Sequence, residues 1–166
     1  MKIVLAALAL AAALLGPASA VAEFTCPRTT GHKAVGPPLP KSGNWYGSEA
    51  LAVQLPQTGT WPTTAPGAQI SVKLFWWSAG FRPGMESNLN VTIKELSGAP
   101  VTAEISKPTN ASASSLGGST MLTGIHFPQP GCWEITGQYL GQSLSFVVET
   151  VQPASGAQQA VAADRG

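Results

Sequence analysis

An all-β fold of two facing sheets is the architecture this sequence predicts, and three observations carry it. Apolar and polar residues alternate over short runs, Gly and Pro (18 and 14 of 166 residues) stand between those runs, and nothing beyond Ala20 repeats with a helical period. Alternation makes one face of each strand apolar. With no helix to cover a single sheet, two sheets must bury those faces against one another.

Met1 to Ala20 reads as a secretory signal. Lys2 supplies the positive start, Ile3 to Leu15 is unbroken and apolar, and Ala18-Ser19-Ala20 is a small-x-small cleavage site. The run falls short of the roughly 20 residues that cross a bilayer, and Gly16-Pro17 breaks it, so the expectation is cleavage rather than anchoring. Glu23-Phe24-Thr25 lacks the small aliphatic residues that precede a lipidated cysteine. The expected location is therefore secreted or periplasmic, with no membrane span in the mature chain. Residues 21–43 form an extended arm, because Gly36-Pro37-Pro38-Leu39-Pro40 suits neither a helix nor a central strand. Residues 44–151 form the sandwich, and 152–166, rich in Ala, Gln, Ser and Gly, a disordered tail.

The strands follow in order. Glu49 to Leu55 alternates with Leu51, Val53 and Leu55 inward until Pro56 stops it, and Gln57 to Ala68 is a loop carrying Trp61. Gln69 to Trp77 is the strongest strand: Ile70, Val72, Leu74 and Trp76 face one way, and Ser71, Lys73, Phe75 and Trp77 the other. After the Ser78–Asn88 loop, Leu89 to Glu95 and Val101 to Ile105 are expected to pair as a hairpin across Ser97-Gly98. Ser106 to Ser119 is a low-complexity loop. Thr120 to Phe127 then presents Met121, Ile125 and Phe127 inward, and Pro128 to Gly131 turns a corner. Cys132 to Tyr139 and Ser143 to Val151 close the domain as a hairpin, with Trp133 and Ile135 facing Leu144, Phe146 and Val148. About seven antiparallel strands of this kind fit an immunoglobulin-like β-sandwich.

Export changes the meaning of the two cysteines. Outside the cytosol Cys26 and Cys132 are expected as a disulfide tying the arm to a late strand. Closing a loop of roughly a hundred residues would stabilise by up to about 4–5 kcal/mol on the chain-entropy model. The symmetric spacings Cys26-x5-His32 and His126-x5-Cys132 leave a copper or zinc carrier as the metal alternative.

The segment Cys26-Pro27-x-Thr29, Leu51-x-Val53-x-Leu55-Pro56 with Gly59-x-Trp61, the Phe75-Trp76-Trp77 triplet, and Phe127-Pro128-x-x-Gly131-Cys132-Trp133-Glu134-x-Thr136-Gly137 resemble a group of small secreted bacterial proteins. The likeness runs from Cys26 to Val151. It implies an exported chain with an immunoglobulin-like fold, and it supplies no activity or catalytic residue. The sequence departs from the group at Gly31-His32-Lys33 and in the Ser/Ala-rich loop at 111–119.

Composition and motifs exclude several chemistries. With 9 basic against 8 acidic residues and 10% charged residues, the chain is neither an electrostatic nucleic-acid binder nor a polybasic membrane-surface protein. No Gly-x-Ser-x-Gly elbow, phosphate loop or dinucleotide fingerprint occurs, and Glu49, Glu86, Glu95, Glu104, Glu134 and Glu149 stand singly. No cofactor is expected, and the chain reads as non-enzymatic. Recognition is the remaining class: Trp45, Tyr46, Trp61, Phe75 and Trp77, with Arg82 to stack or pair nearby, are the candidate binding residues. The partner is expected to be a protein or a surface, with a glycan as the alternative.

Overall fold

The computed structural model describes residues 24–33, 40, 42–62, 70–113 and 118–152. The expected signal segment, and the tail beyond Gln152, lie outside the described residues. In chain order the strands are β1 (His32–Lys33), β2 (Asn44–Gly47), β3 (Ala52–Gln54), β4 (Thr60–Pro62), β5 (Ile70–Trp77), β6 (Asn90–Glu95), β7 (Glu104–Ile105), β8 (Thr109–Ala113), β9 (Gly118–Phe127), β10 (Gly131–Tyr139) and β11 (Gln142–Val151). One sheet runs β1-β2-β3-β5-β9-β7, with β8 also on β9, and the other runs β4-β11-β10-β6. Every pairing is antiparallel except β4 with β11. No helix in the described residues is long and apolar enough to cross a membrane.

The fold is the expected all-β sandwich, and its strand order is immunoglobulin-like. β3, β5, β9 and β8 take the places of strands A, B, E and D, and β6, β10 and β11 those of C, F and G. The opening strand is split: β3 stays in the first sheet, while β4 lies parallel to β11 in the second. Between them, the Leu55 N–H bonds back to the Asn44 carbonyl at 2.9 Å and the Gly59 N–H to that of Pro56 at 3.1 Å. Gly59 has a φ of +66°, and a Cβ there would lie 2.5 Å from the Thr29 carbonyl oxygen, so only glycine fits.

Alternation placed the core correctly. Ile70, Leu74 and Trp76 of β5 meet Met121, Ile125 and Phe127 of β9, Trp133 and Ile135 of β10, and Phe146 and Val148 of β11. Trp76 and Trp133 are both wholly buried. Burying one large apolar side chain stabilises by about 1.5–3 kcal/mol, and these two rings bring the greatest areas. Trp76 sits 5.7 Å from Phe146 between ring centroids, and Trp133 sits 5.0 Å from Phe127. The indole N–H of Trp133 donates to Thr150 Oγ1 at 3.1 Å, which satisfies its one polar atom. Across the sandwich Trp76 presses on bare backbone. A Cβ at Gly137 would lie 2.4 Å from two ring carbons of Trp76, so the two sheets close only over a glycine.

The arm is clasped to the second sheet. Cys26 and Cys132 form the expected disulfide, with Cα atoms 5.6 Å apart. Beside it the Thr29 N–H donates to the Val147 carbonyl at 2.8 Å, and the Val147 N–H returns a bond to Thr29 Oγ1 at 3.0 Å. The Glu149 N–H reaches the Gly59 carbonyl at 3.0 Å, and Arg28 pairs with Glu149 at 3.3 Å. That ion pair is exposed and contributes little beside the backbone bonds.

Besides β4 (Thr60–Pro62), a short strand on β11 within the loop expected at Gln57–Ala68, two sequence expectations need correction. The segments around β6 and β7 do not form a hairpin: β6 pairs with β10 and β7 with β9, in opposite sheets. The reason lies in the turn. The Glu95 carboxylate accepts the N–H groups of Ser97, Gly98 and Ala99 at 2.8–2.9 Å, capping a bend that carries the chain across the sandwich. Burial alone would raise its pKa, but the Ser97 hydroxyl and those three N–H groups hold it below the ordinary value. The second correction concerns the loop expected at 106–119, where β8 pairs with β9 from Thr109↔Leu122 to Ala113↔Gly118. Low-complexity Ser, Ala and Asn side chains hid that strand because an edge strand needs no apolar face of its own.

Gly137→Ala is expected to destabilise the oxidised domain by about 1–3 kcal/mol through overpacking against Trp76, read as a lowered midpoint in urea. An unchanged midpoint would mean that the sheets are free to move apart at this point.

Candidate functional site

A second apolar cluster lies on the face of the first sheet that looks away from the core. Register puts Ala52 opposite Trp77 and Trp45 opposite Gln54, and the outward positions of β5 are Ser71, Lys73, Phe75 and Trp77. Trp45 and Ala52 are buried, and Phe75 and Trp77 pack half-buried against them. The Trp45 indole N–H donates to the Ser42 carbonyl at 2.8 Å, which fixes the ring.

The other expected binding residues are elsewhere. Tyr46, one residue along from Trp45, points to the opposite face and packs half-buried on the main core. Trp61 is on β4, its ring 6.3 Å from that of Phe127, at the seam between the sheets. Arg82 is exposed in the loop after β5, where its guanidinium donates to the carbonyls of Ala79 and, at 3.2 Å, Phe81 rather than to a ring. Of the six candidates, Trp45, Phe75 and Trp77 therefore share one face, and Trp45 serves it from beneath.

Beside that face is a cleft of about 270 Å³ lined by Gly43, Asn44, Gln54, Leu55, Pro56, Trp61 and Lys73. It opens where the first strand leaves β5. β3 pairs with β5 only at Trp76 and Trp77, a ladder that ends with Gln54 beside Phe75, so over Ile70–Leu74 the side of β5 that faces the cleft carries no hydrogen bond among the described residues. One half-buried indole, two side-chain amides and an exposed ammonium line this space. Sequence reading found Trp61 but missed Asn44, Gln54 and Lys73. The available signal was a difference in length: Pro56 ends one strand early beside a neighbour that runs on for eight residues.

The histidines do not assemble a metal centre with the cysteines. His32 stands opposite Trp45 on the edge strand β1, His126 is on β9, and both cysteine sulfurs are taken by the bridge, which removes the thiolate ligands of the copper or zinc alternative. Among the described residues no three of His, Cys, Asp and Glu are grouped to hold an ion. His126 has a different neighbour. Its Nδ1 lies 2.7 Å from Ser71 Oγ, and Glu104 is opposite it on β7, making a polar row across three strands. The row is open to solvent. Glu134 faces away from the core opposite Lys94, an ordinary cross-strand arrangement.

Burial divides the five tryptophans: Trp45, Trp76 and Trp133 are shielded, and Trp61 and Trp77 are half-open. Acrylamide is therefore expected to quench only a minor part of the emission, and a Trp61→Phe/Trp77→Phe double variant should abolish that part. Undiminished quenching in the double variant would mean that Trp45 is open to solvent. Comparison with known proteins returns no match: no family model fits the chain, and no curated protein or solved structure is significantly similar to it.

Proposed function

We propose that the chain is an exported, non-enzymatic binding module that recognises a protein or surface partner through the outer aromatic face of its first sheet. The observation that carries this reading is the Trp45–Ala52–Phe75–Trp77 cluster, an apolar group built on the side of the sheet that the opposite sheet does not cover. Large rings held rigidly from below, with part of their surface still open, suit the centre of an interface, where Trp and Tyr anchors dominate the energetics. Export is supported by the signal-like first twenty residues and by the disulfide, a bond that persists in oxidising compartments. Carbohydrate binding is the second reading, favoured by the single indole of Trp61 beside the amides of Asn44 and Gln54.

The test is co-sedimentation of the purified, oxidised mature chain with envelope fractions of the cell that makes it. Binding is expected, with loss in a Phe75→Ser/Trp77→Ser variant whose melting curve shows it folded, and loss after the envelopes are treated with protease. Binding that survives protease but not glycan digestion would favour the second reading. No sedimentation under any condition would contradict both.

A further inference from the structure

Resting on the reading of the chain as a binding module, we infer that the free edge of β5 is a docking site for an extended peptide that places an acidic residue opposite Lys73. The edge is vacant for a structural reason. The first strand leaves β5 after Gln54, the Leu55 N–H bonds to the Asn44 carbonyl of β2, and Pro56 and Gly59 take the chain to the other sheet. What it leaves behind is Ile70–Leu74, about 16 Å of extended backbone with one side unpaired among the described residues. An unpaired strand edge offers N–H and C=O groups in the spacing that another strand satisfies, which is how sheets take up extended peptides. A sugar has no such ladder to offer.

The side chains around the edge specify the guest. Lys73 and Phe75 are two residues apart on β5 and so point to the same outer face. Lys73 is exposed and makes no ion pair among the described residues, and Phe75 is half-buried in the outer aromatic cluster. Cross-strand neighbours lie about 4.5–5.5 Å apart between Cβ atoms, so the guest residue opposite Lys73 is best acidic, while Gln54 of β3 already stands beside Phe75. The guest's alternate side chains enter the cleft, where Trp61, Leu55 and Pro56 form an apolar wall and Asn44 and Gln54 provide hydrogen-bonding groups at the rim. Affinity then comes from the ladder and selectivity from the Lys73 pairing and the apolar wall of the cleft.

The test is selection of a displayed random nonapeptide library on the oxidised mature chain, followed by anisotropy titration of synthetic peptides. Enriched sequences are expected to share an acidic residue at one fixed position. Lys73→Glu should weaken them roughly tenfold or more by turning an attractive cross-strand pair into a repulsive one, and a peptide with Lys in place of its acid should recover binding to that variant. N-methylation of alternate peptide amides should abolish binding for one alternate set and spare the other. Absence of enrichment, equal binding to Lys73→Glu, or indifference to N-methylation would overturn the inference. So would self-association of the chain through this edge, or a glycan competing in the same cleft. Envelope binding that depends on Phe75 and Trp77 but is unaffected by Lys73→Glu would sink this inference while leaving the proposed function standing.

Discussion

Pro56 has no N–H to give to a ladder, and it stands where the first strand would otherwise have run on along β5. The strand therefore changes sheets, and the rest of the architecture is arranged around that change. Gly59 makes the bend possible by lying against the Thr29 backbone, closer than any side chain allows. The Cys26–Cys132 bridge and the exchange of bonds between Thr29 and Val147 hold the arm where β4 must dock on β11. Each contact is modest alone. Together they fix a chain that would otherwise lose a large amount of conformational entropy on ordering, and a bridge spanning 106 residues removes much of that freedom from the unfolded state instead.

The sheets themselves close on a different element. Trp76 and Trp133 fill the interior from opposite sides, one lying on Gly137 and the other tilted against Phe127 and anchored to Thr150. Because Trp76 is inward, its neighbours Phe75 and Trp77 must be outward, and two more rings arrive on a face that the core does not need. Trp45 and Ala52 from adjacent strands support them there. The Phe75-Trp76-Trp77 triplet thus supplies the core and the outer cluster from one short piece of strand.

Much of this was legible in the residue pattern, and the parts that were not share a cause. The inward faces of β5, β9, β10 and β11 were readable because a two-residue period leaves no choice once one large ring is placed inside. The disulfide was readable because a chain with two cysteines has one possible pairing. Pairing between distant segments was not. Leu89–Glu95 and Val101–Ile105 look like hairpin partners, and only the Glu95 carboxylate, by capping the turn, sends them to opposite sheets. The strand at Thr109–Ala113 has no apolar alternation, so its presence depends on an edge of β9 that the sequence does not display. Of the outer site, the rings were found and the cleft was missed, since Asn44, Gln54 and Lys73 meet only through the departure of one strand from another.

Hydrogen exchange across β5 tests that departure most directly. Alternate amides from Ile70 to Leu74 bond to β9 and should be strongly protected, while those between them face the vacated side and should exchange as exposed amides do. Protection is expected to become continuous only at Trp76 and Trp77, where β3 is paired. Uniformly slow exchange from Ile70 through Leu74 would show that another segment already completes the edge, and the account of a strand that changes sheets and leaves an open place behind it would be wrong.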